Sequence, residues 1–214
     1  PMAQTYREAI ISEVFREKVF AGEKEPLLFG EPQEWAARLV EAQKLLAAGR
    51  PAEAAALREA AFEAAPASPG MLNGEPFDWI ADADMRLGPM MEAIVNGKYF
   101  WIPFGAIRRL DLDPPSDLRD SVWMPGTLTL TNGGQVVALI PTRYPGTFSA
   151  GSDAEKLSRA TSWSDAGAET WIGRGQRIWA TDRGETALMD VRALTFAGGE
   201  DGGDGAAPAG SGNG

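Results

Sequence analysis

The fold of this chain is decided by residues 75–104, EPFDWIADADMRLGPMMEAIVNGKYFWIPF. The second half of this stretch predicts a β-hairpin, because apolar runs at Met90–Val95 and Lys98–Pro103 flank Asn96-Gly97. Asn-Gly supplies the two positive-φ residues that a type I′ turn requires. The sequence therefore predicts an antiparallel pair of strands here.

The returning strand is unusually rich in aromatic side chains. Alternation places Tyr99 and Trp101 on one face and Phe100 on the other. Both faces are apolar, so one is expected in the sheet core and the other against the helices or a partner protein. The aromatic and apolar residues that we consider candidates for partner binding are Trp35, Leu39, Trp79, Tyr99, Phe100, Trp101 and Phe104.

The first half of the stretch predicts one short acidic turn of helix over residues 76–84. In such a helix Asp78 and Asp82 lie one turn apart on the same face, with Glu75 and Asp84 nearby. Paired carboxylates could bind a hard cation or divide acid and base roles in a hydrolase. The alternative is structural, because acids stabilise a helix N-terminus and pair with nearby arginine. We favour the structural role.

Composition excludes several kinds of active site. The 214 residues contain no cysteine and no histidine, which excludes disulfides, thiol nucleophiles, Ser-His-Asp machinery and zinc sites built from Cys or His. The glycines at 173 and 175 lack the third glycine of a dinucleotide loop and predict a turn between strands. We assign no catalytic residue, metal ligand or cofactor, and predict a non-enzymatic protein.

The charge distribution narrows the choice of partners. Twenty basic and thirty acidic side chains give a net charge of −10, and only Arg108-Arg109 are adjacent basic residues. This pattern argues against nucleic-acid binding and favours a basic or amphipathic protein segment. No run approaches the roughly 18 apolar residues of a membrane span, and the N-terminus lacks a signal-peptide pattern. A cytoplasmic protein without membrane insertion is predicted.

Residues 1–66 are predicted to be helical. Apolar spacing gives a first helix from Tyr6, a second that starts with Pro32 and a third from Pro51. The last two resemble a tetratricopeptide (TPR) repeat, although an ordinary helical hairpin fits equally well. The small and closing residues that match the repeat are Ala42, Leu45, Gly49, Ala54, Ala61 and Pro66. Repeats stack on neighbours and the chain lacks an initiating methionine, so we expect a fragment of a longer array.

The rest of the chain predicts an antiparallel β-rich region, which makes the fold class α+β. Residues 67–74 are a turn-rich connector, and residues 75–196 form hairpin-linked strands that curl into a small, strongly twisted sheet or open barrel. Residues 197–214 are glycine-rich and predicted to be disordered. The further elements predicted are a short helix after Ser152 and strands at 107–112, 127–131, 136–140, 176–181 and 186–194.

Longer motifs carry a family resemblance from about Thr5 to Leu194. They are GEPFDWIADADMRLGP at 74–89, NGKYFWIPF at 96–104 and LIPTRYPG at 139–146, supported by residues 107–130 and 175–185. Together they resemble the ImpE family, also called TagJ or SciE-type proteins, of bacterial type VI secretion loci. Members usually carry more helical repeat sequence ahead of the position of Tyr6.

The resemblance implies a cytoplasmic, non-enzymatic accessory that binds the small subunit of the contractile sheath, with a proposed link to the ClpV disassembly ATPase. It supplies no catalytic residues. From the residues themselves, we expect a helical sheath segment to dock in the apolar groove of the repeats or against the aromatic sheet. A carboxylate-dependent hydrolase using Asp78, Asp82 and Asp84, and a generic repeat scaffold outside secretion, stay open as alternatives.

Overall fold

The computed structural model describes residues 2–31 and 33–196 and has a mixed α+β fold, as predicted. Helix α1 spans Met2–Phe20, α2 spans Glu34–Ala47 and α3 spans Pro51–Ala64. The predicted start of the second helix at Pro32 and the glycine-rich segment 197–214 lie outside the described residues. No helix in the described part of the chain is long and apolar enough to cross a membrane.

The main sheet has nine strands within the described residues. They are β1 Leu27–Leu28, β2 Gly70–Leu72, β3 Glu75–Phe77, β5 Met90–Val95, β6 Lys98–Pro103, β7 Ile107–Leu112, β8 Trp123–Leu130, β9 Gln135–Pro141 and β14 Ala193–Phe196. Their spatial order is β1-β6-β5-β9-β8-β7-β14-β2-β3. The pairs are antiparallel except for β1 with β6.

Two smaller sheets, two short helical turns and three 3-10 turns, at Phe104–Ala106, Leu118–Ser121 and Leu188–Asp190, complete the described elements. One sheet has the order β13-β12-β4, and the other pairs β10 with β11. Their bounds are β4 Ile80–Asp82, β10 Thr161–Asp165, β11 Trp171–Gly175, β12 Ile178–Thr181 and β13 Gly184–Ala187. The helical turns are α4 Thr147–Ala150 and α5 Asp153–Lys156.

The predicted central hairpin is confirmed. Strands β5 and β6 have the predicted bounds and pair from Met90 with Pro103 to Val95 with Lys98. Asn96 and Gly97 have φ values of 49° and 69°, as a type I′ turn requires. Ser152 also caps the short helix that follows it, although α5 is only one turn long.

The predicted acidic helix over residues 76–84 is wrong, since this segment contributes strands β3 and β4. Asp82 Oδ1 accepts the Asp84 backbone N–H at 2.9 Å, and Asp84 Oδ1 accepts the Arg86 N–H at 2.9 Å. Aspartate side chains that bond backbone N–H groups two residues ahead favour turns over helix. The residues between β4 and β5 therefore form a turn held by their own carboxylates.

Two other local predictions are also wrong. The glycines at 173 and 175 lie in strand β11, because their backbone groups are bonded by neighbouring segments and not by a turn. The predicted strand 186–194 is interrupted by a 3-10 turn at Leu188–Asp190, since the buried Leu188 donates its N–H to the Arg177 carbonyl at 2.9 Å. Only the ends of that segment are strands.

Strand β6 separates two apolar cores. Ile102 lies in the core of the main sheet, whereas Tyr99 and Trp101 lie in a second core with residues of α1 and α2. The rings of Phe15 and Tyr99 lie 6.3 Å apart between centroids, and those of Phe20 and Trp101 lie 5.8 Å apart. The aromatic face of β6 is thus covered by the helices.

Candidate functional site

A network of buried charged side chains joins α1 to the strands. Arg177, which is fully buried, donates to the carboxylates of Asp82 and Glu92 and, from Nε at 2.8 Å, to the Pro141 carbonyl. Arg16 of α1 donates to the two oxygens of Glu92, from Nε at 2.6 Å and from Nη2 at 2.9 Å. Two cations and two anions therefore neutralise each other beneath α1.

The acidic residues singled out in the sequence are either bonded to neighbouring side chains or exposed. Asp82 also accepts from the Tyr144 hydroxyl at 2.9 Å, and Asp84 accepts a fork from Arg86 at 2.9 and 2.6 Å. Glu75 and Asp78 are exposed on the surface. Within residues 2–31 and 33–196, no group of three or more acidic side chains could hold a metal ion.

The two carboxylates of the network have opposite pKa shifts. Burial raises the pKa of Asp82 to about 6, and the nearby Arg177 offsets only part of this. Burial also acts to raise the pKa of Glu92, but Arg16 and Arg177 together outweigh it and hold that pKa at about 2. Glu92 lies between two guanidinium groups, which explains the difference.

These shifts predict how stability changes with pH. The pKa of Asp82 lies above its ordinary 3.8 in the folded protein. Between these two pKa values the folded state holds a proton that the unfolded chain has released. Relative to Asp82→Asn, the free energy of unfolding should therefore rise by about 2 kcal/mol between about pH 7 and about pH 4. Urea unfolding of both proteins across this range measures the change.

Glu92→Gln is the matched control, because the free energy of unfolding should change with pH in the opposite direction. The pKa of Glu92 is lowered, so its contribution is present above about 4.5 and is lost as the pH falls toward about 2. The wild type should lose stability relative to Glu92→Gln over that lower window. A pH-independent difference between the wild type and Asp82→Asn would contradict the assignment.

The structure buries several of the predicted partner-binding residues between the helices and the sheet. Leu39, Tyr99 and Trp101 are at most 2% exposed. Trp101 Nε1 donates to the Tyr99 hydroxyl at 2.7 Å, and that hydroxyl donates to Glu92. Phe100 is half-buried on the other face of β6, with its ring centroid 5.9 Å from that of Phe29. Leu39, Tyr99 and Trp101 thus pack between the helices and the sheet, whereas Phe100 packs against the core on the other face.

The other three predicted residues line one groove. The Trp79 groove, of about 470 Å³, lies between the helical hairpin and β4, and is lined by Trp35, Phe62, Trp79, Met85, Pro103 and Phe104 among others. Trp35 and Phe104 are buried in its wall, whereas Trp79 is 43% exposed. Trp79 is thus the accessible member of the predicted set.

A second groove was not predicted from the sequence. The Phe148 groove, of about 340 Å³, lies between α1 and the segment 143–148, and is lined by Ile10, Glu13, Val14, Glu17, Trp123 and Phe148 among others. Ile10, Val14 and Phe148 are 57%, 51% and 73% exposed. Its sequence signal is the apolar stripe of the first helix at Ile10, Ile11, Val14 and Phe15, which is wide enough to contact two neighbours, whereas the glycine-flanked segment 146–151 around Phe148 is typical of a loop.

Comparison with known proteins identifies the family of the chain. The sequence pattern of the family described as ImpE protein matches residues 74–195. A Pseudomonas aeruginosa protein named type VI secretion system accessory component TagJ is 53% identical over 196 residues, which cover 92% of this chain and 68% of that protein. A crystal structure of a Vibrio parahaemolyticus protein has a TM-score of 0.83 at 25% identity, covering 92% of this chain and 73% of the other. This chain belongs to the ImpE family, as its motifs predicted.

Proposed function

We propose that this chain is a non-enzymatic, cytoplasmic accessory of a type VI secretion system that binds a helical segment of the small sheath subunit. Its membership of the ImpE family and the name of its Pseudomonas aeruginosa relative support a role in that system. The exposed apolar Phe148 groove beside acidic residues of α1 is the observation that carries the choice of ligand. By the same proposal, the bound accessory would connect the sheath to the ClpV ATPase.

The groove has the chemistry of a seat for an amphipathic helix. Ile10 and Val14 lie one turn apart on α1 and face Phe148 across the groove, which gives an apolar floor. Glu17 lies on the same helix beside them, and so does Glu13, which is paired with Arg16 at 3.2 Å. A helix whose apolar face enters a groove, with basic residues at its flank, would match these walls and the net charge of −10.

The buried charge network fixes both walls of this groove. Arg16 lies on the inner side of α1, where Glu92 holds it from the sheet. Its Nη2 atom also donates to the Arg143 carbonyl at 2.7 Å, in the segment that leads to Phe148. One arginine thereby positions the helix and the opposite wall, so the groove is already formed before a partner binds.

Val14→Asp tests the site. It places a charge on the apolar floor while leaving the inner face of α1 unchanged, so we expect affinity for the purified small sheath subunit to fall at least about tenfold. Isothermal titration calorimetry measures the affinity. Val137→Asp is the matched control, since Val137 is a 70% exposed valine on β9 outside the groove and should leave affinity unchanged.

Two further measurements decide between surfaces and functions. Trp79→Ala in the Trp79 groove should leave affinity unchanged; a loss of affinity in this variant, with normal binding by Val14→Asp, would move the site to that groove. Absence of binding between the wild type and the sheath subunit would overturn the proposed function. The proposed link to ClpV requires that this chain, the sheath subunit and ClpV form one ternary complex when the three proteins are mixed.

We also interpret α2 and α3 as one TPR-type repeat, and the main sheet as strongly twisted toward an open barrel. Gly49 has a φ of 73° at the turn between the helices, and Ala42, Ala54 and Ala61 are at most 2% exposed, which supports the repeat. Arg58 departs from the pattern, because it is buried and donates to Thr170 Oγ1 at 2.7 Å. The proposed boundary between residues 1–66 and 75–196 falls at 67–74, and the main sheet crosses it, since β1 comes from the first part and β2 from residues 70–72.

A further inference from the structure

Strand β10 (Thr161–Asp165) has one edge with no neighbouring strand in the described structure. It pairs only with β11, in register from Thr161 opposite Gly175 to Asp165 opposite Trp171. Four of its five residues are exposed. An exposed edge strand presents a row of backbone donors and acceptors on which another strand can be built.

The bonding of β11 shows which backbone groups of β10 point outward. Gly173 donates its N–H to Asp84 at 2.8 Å and Gly175 donates to Thr147 Oγ1 at 2.9 Å, both away from β10. Because antiparallel pairs alternate between bonded and non-bonded positions, β10 bonds to β11 through Ser162 and Ser164. The residues between them, Thr161, Trp163 and Asp165, therefore direct their backbone N–H and C=O groups away from β11, toward the open edge.

This edge is ordered and lacks the usual features that block strand addition. The Trp163 ring packs on Tyr144 with centroids 5.6 Å apart, and the Ser162 hydroxyl donates to Glu155, so both faces of the strand are held in place. The strand TSWSD contains no proline and no lysine, the residues that often prevent edge pairing. Its outward backbone groups are thus available to a partner strand.

We infer that β10 pairs with β10 of a second copy of this chain, antiparallel and centred on Trp163. The two-fold axis places Trp163 opposite its counterpart and Thr161 opposite the partner's Asp165, so the outward-facing positions meet in bonded register. About six backbone hydrogen bonds would join the strands into one four-stranded sheet, β11-β10-β10-β11.

The side chains of β10 are self-complementary in this register. Ser162 falls opposite the partner's Ser164, and Asp165, whose carboxylate accepts the N–H groups of Gly167 and Thr170, falls opposite the partner's Thr161 instead of a second aspartate. No like charges therefore lie directly across the strand pair. Each copy of the chain carries a net charge of −10, so salt at about 0.3 M should strengthen the dimer by screening the repulsion between the two copies.

Cysteine cross-linking tests both the pairing and its register. The chain contains no cysteine, so single Ser162→Cys and Ser164→Cys variants carry one thiol each. These positions would face each other in a non-bonded pair with Cα atoms about 4.5 Å apart, which is within the range for a disulfide. On oxidation, an equimolar mixture of the two variants should give at least about fivefold more disulfide-linked dimer than either variant alone.

Light scattering of the unmodified protein gives the independent readout. We expect a dimer at about 50 μM in about 0.3 M salt, and at least about tenfold weaker association for Ser162→Lys/Ser164→Lys, which places lysines opposite lysines. Gln135→Lys/Val137→Lys adds the same charge to exposed positions of β9, which lies inside the main sheet and away from β10, and should leave the dimer intact. A monomer in all conditions, or equal cross-linking in mixture and single variants, would overturn the inference and leave this edge for a strand of another protein.

Discussion

Replacing Arg177 by methionine is expected to lower the free energy of unfolding by about 3–5 kcal/mol, because it leaves the buried Asp82 carboxylate without its cation. The Arg177 guanidinium contacts Asp82, Glu92 and the Pro141 carbonyl, and its side chain has no exposed area. Methionine fills similar volume but supplies no donor. Glu92 would retain Arg16, whereas Asp82 would lose its cation.

Urea unfolding at neutral pH measures this effect. Arg183→Met is the matched control, since the Arg183 side chain is 67% exposed and its removal should change stability by no more than about 0.5 kcal/mol. Arg177→Lys should recover only part of the loss, because an ammonium cannot form the planar fork that spans two carboxylates. A loss below about 1 kcal/mol in Arg177→Met would contradict the view that the network stabilises the fold.

Elements with a local cause were predicted well from the sequence. The β5–β6 hairpin depends on Asn96-Gly97 and its flanking strands, all within fourteen residues of one another. The alternation of Tyr99, Trp101 and Ile102 between two cores follows from the geometry of a single strand. Local propensity and tertiary packing agree in these places.

The buried network had no signal that a local pattern could provide. Arg16 and Glu92 are 76 residues apart in the chain, and Arg177 and Glu92 are 85 apart. Their sequence neighbourhoods predict helix or strand and give no indication of the partner. The helix predicted for the acidic segment 76–84 was wrong because the spacing of its residues does not show where their side chains bond. Asp82 and Asp84 accept nearby backbone N–H groups, which favours a turn.

The two grooves differ in how much of them the sequence could indicate. Trp79 was identified because an aromatic residue stood near a predicted hairpin, and its groove is lined by two other predicted residues. The Phe148 groove combines α1 with a segment more than a hundred residues later. The exposed apolar stripe of α1 indicated that a second neighbour was required, but only the fold shows which segment lies opposite.

Trp101→Ala should also lower the free energy of unfolding by about 3–5 kcal/mol, which separates a structural role from the partner role considered in the sequence. Trp101 is fully buried, its carbonyl accepts the Phe29 N–H at 3.1 Å, and its ring packs against Phe20 of α1. Truncation would leave a cavity between α1 and β6 and remove the donor to Tyr99.

Urea unfolding and sheath-subunit affinity should be measured on the same Trp101→Ala preparations. Trp79→Ala is the matched control: its ring is 43% exposed, so its loss should cost less than about 1 kcal/mol. If Trp101 acts by holding α1 against the sheet, it does not contact the partner. Any fall in the affinity of the folded variant for the sheath subunit should then come only from a shift of α1 at the Phe148 groove. A variant as stable as the wild type that no longer binds would instead place Trp101 on the partner surface, because burial and direct contact cannot both be satisfied in this fold.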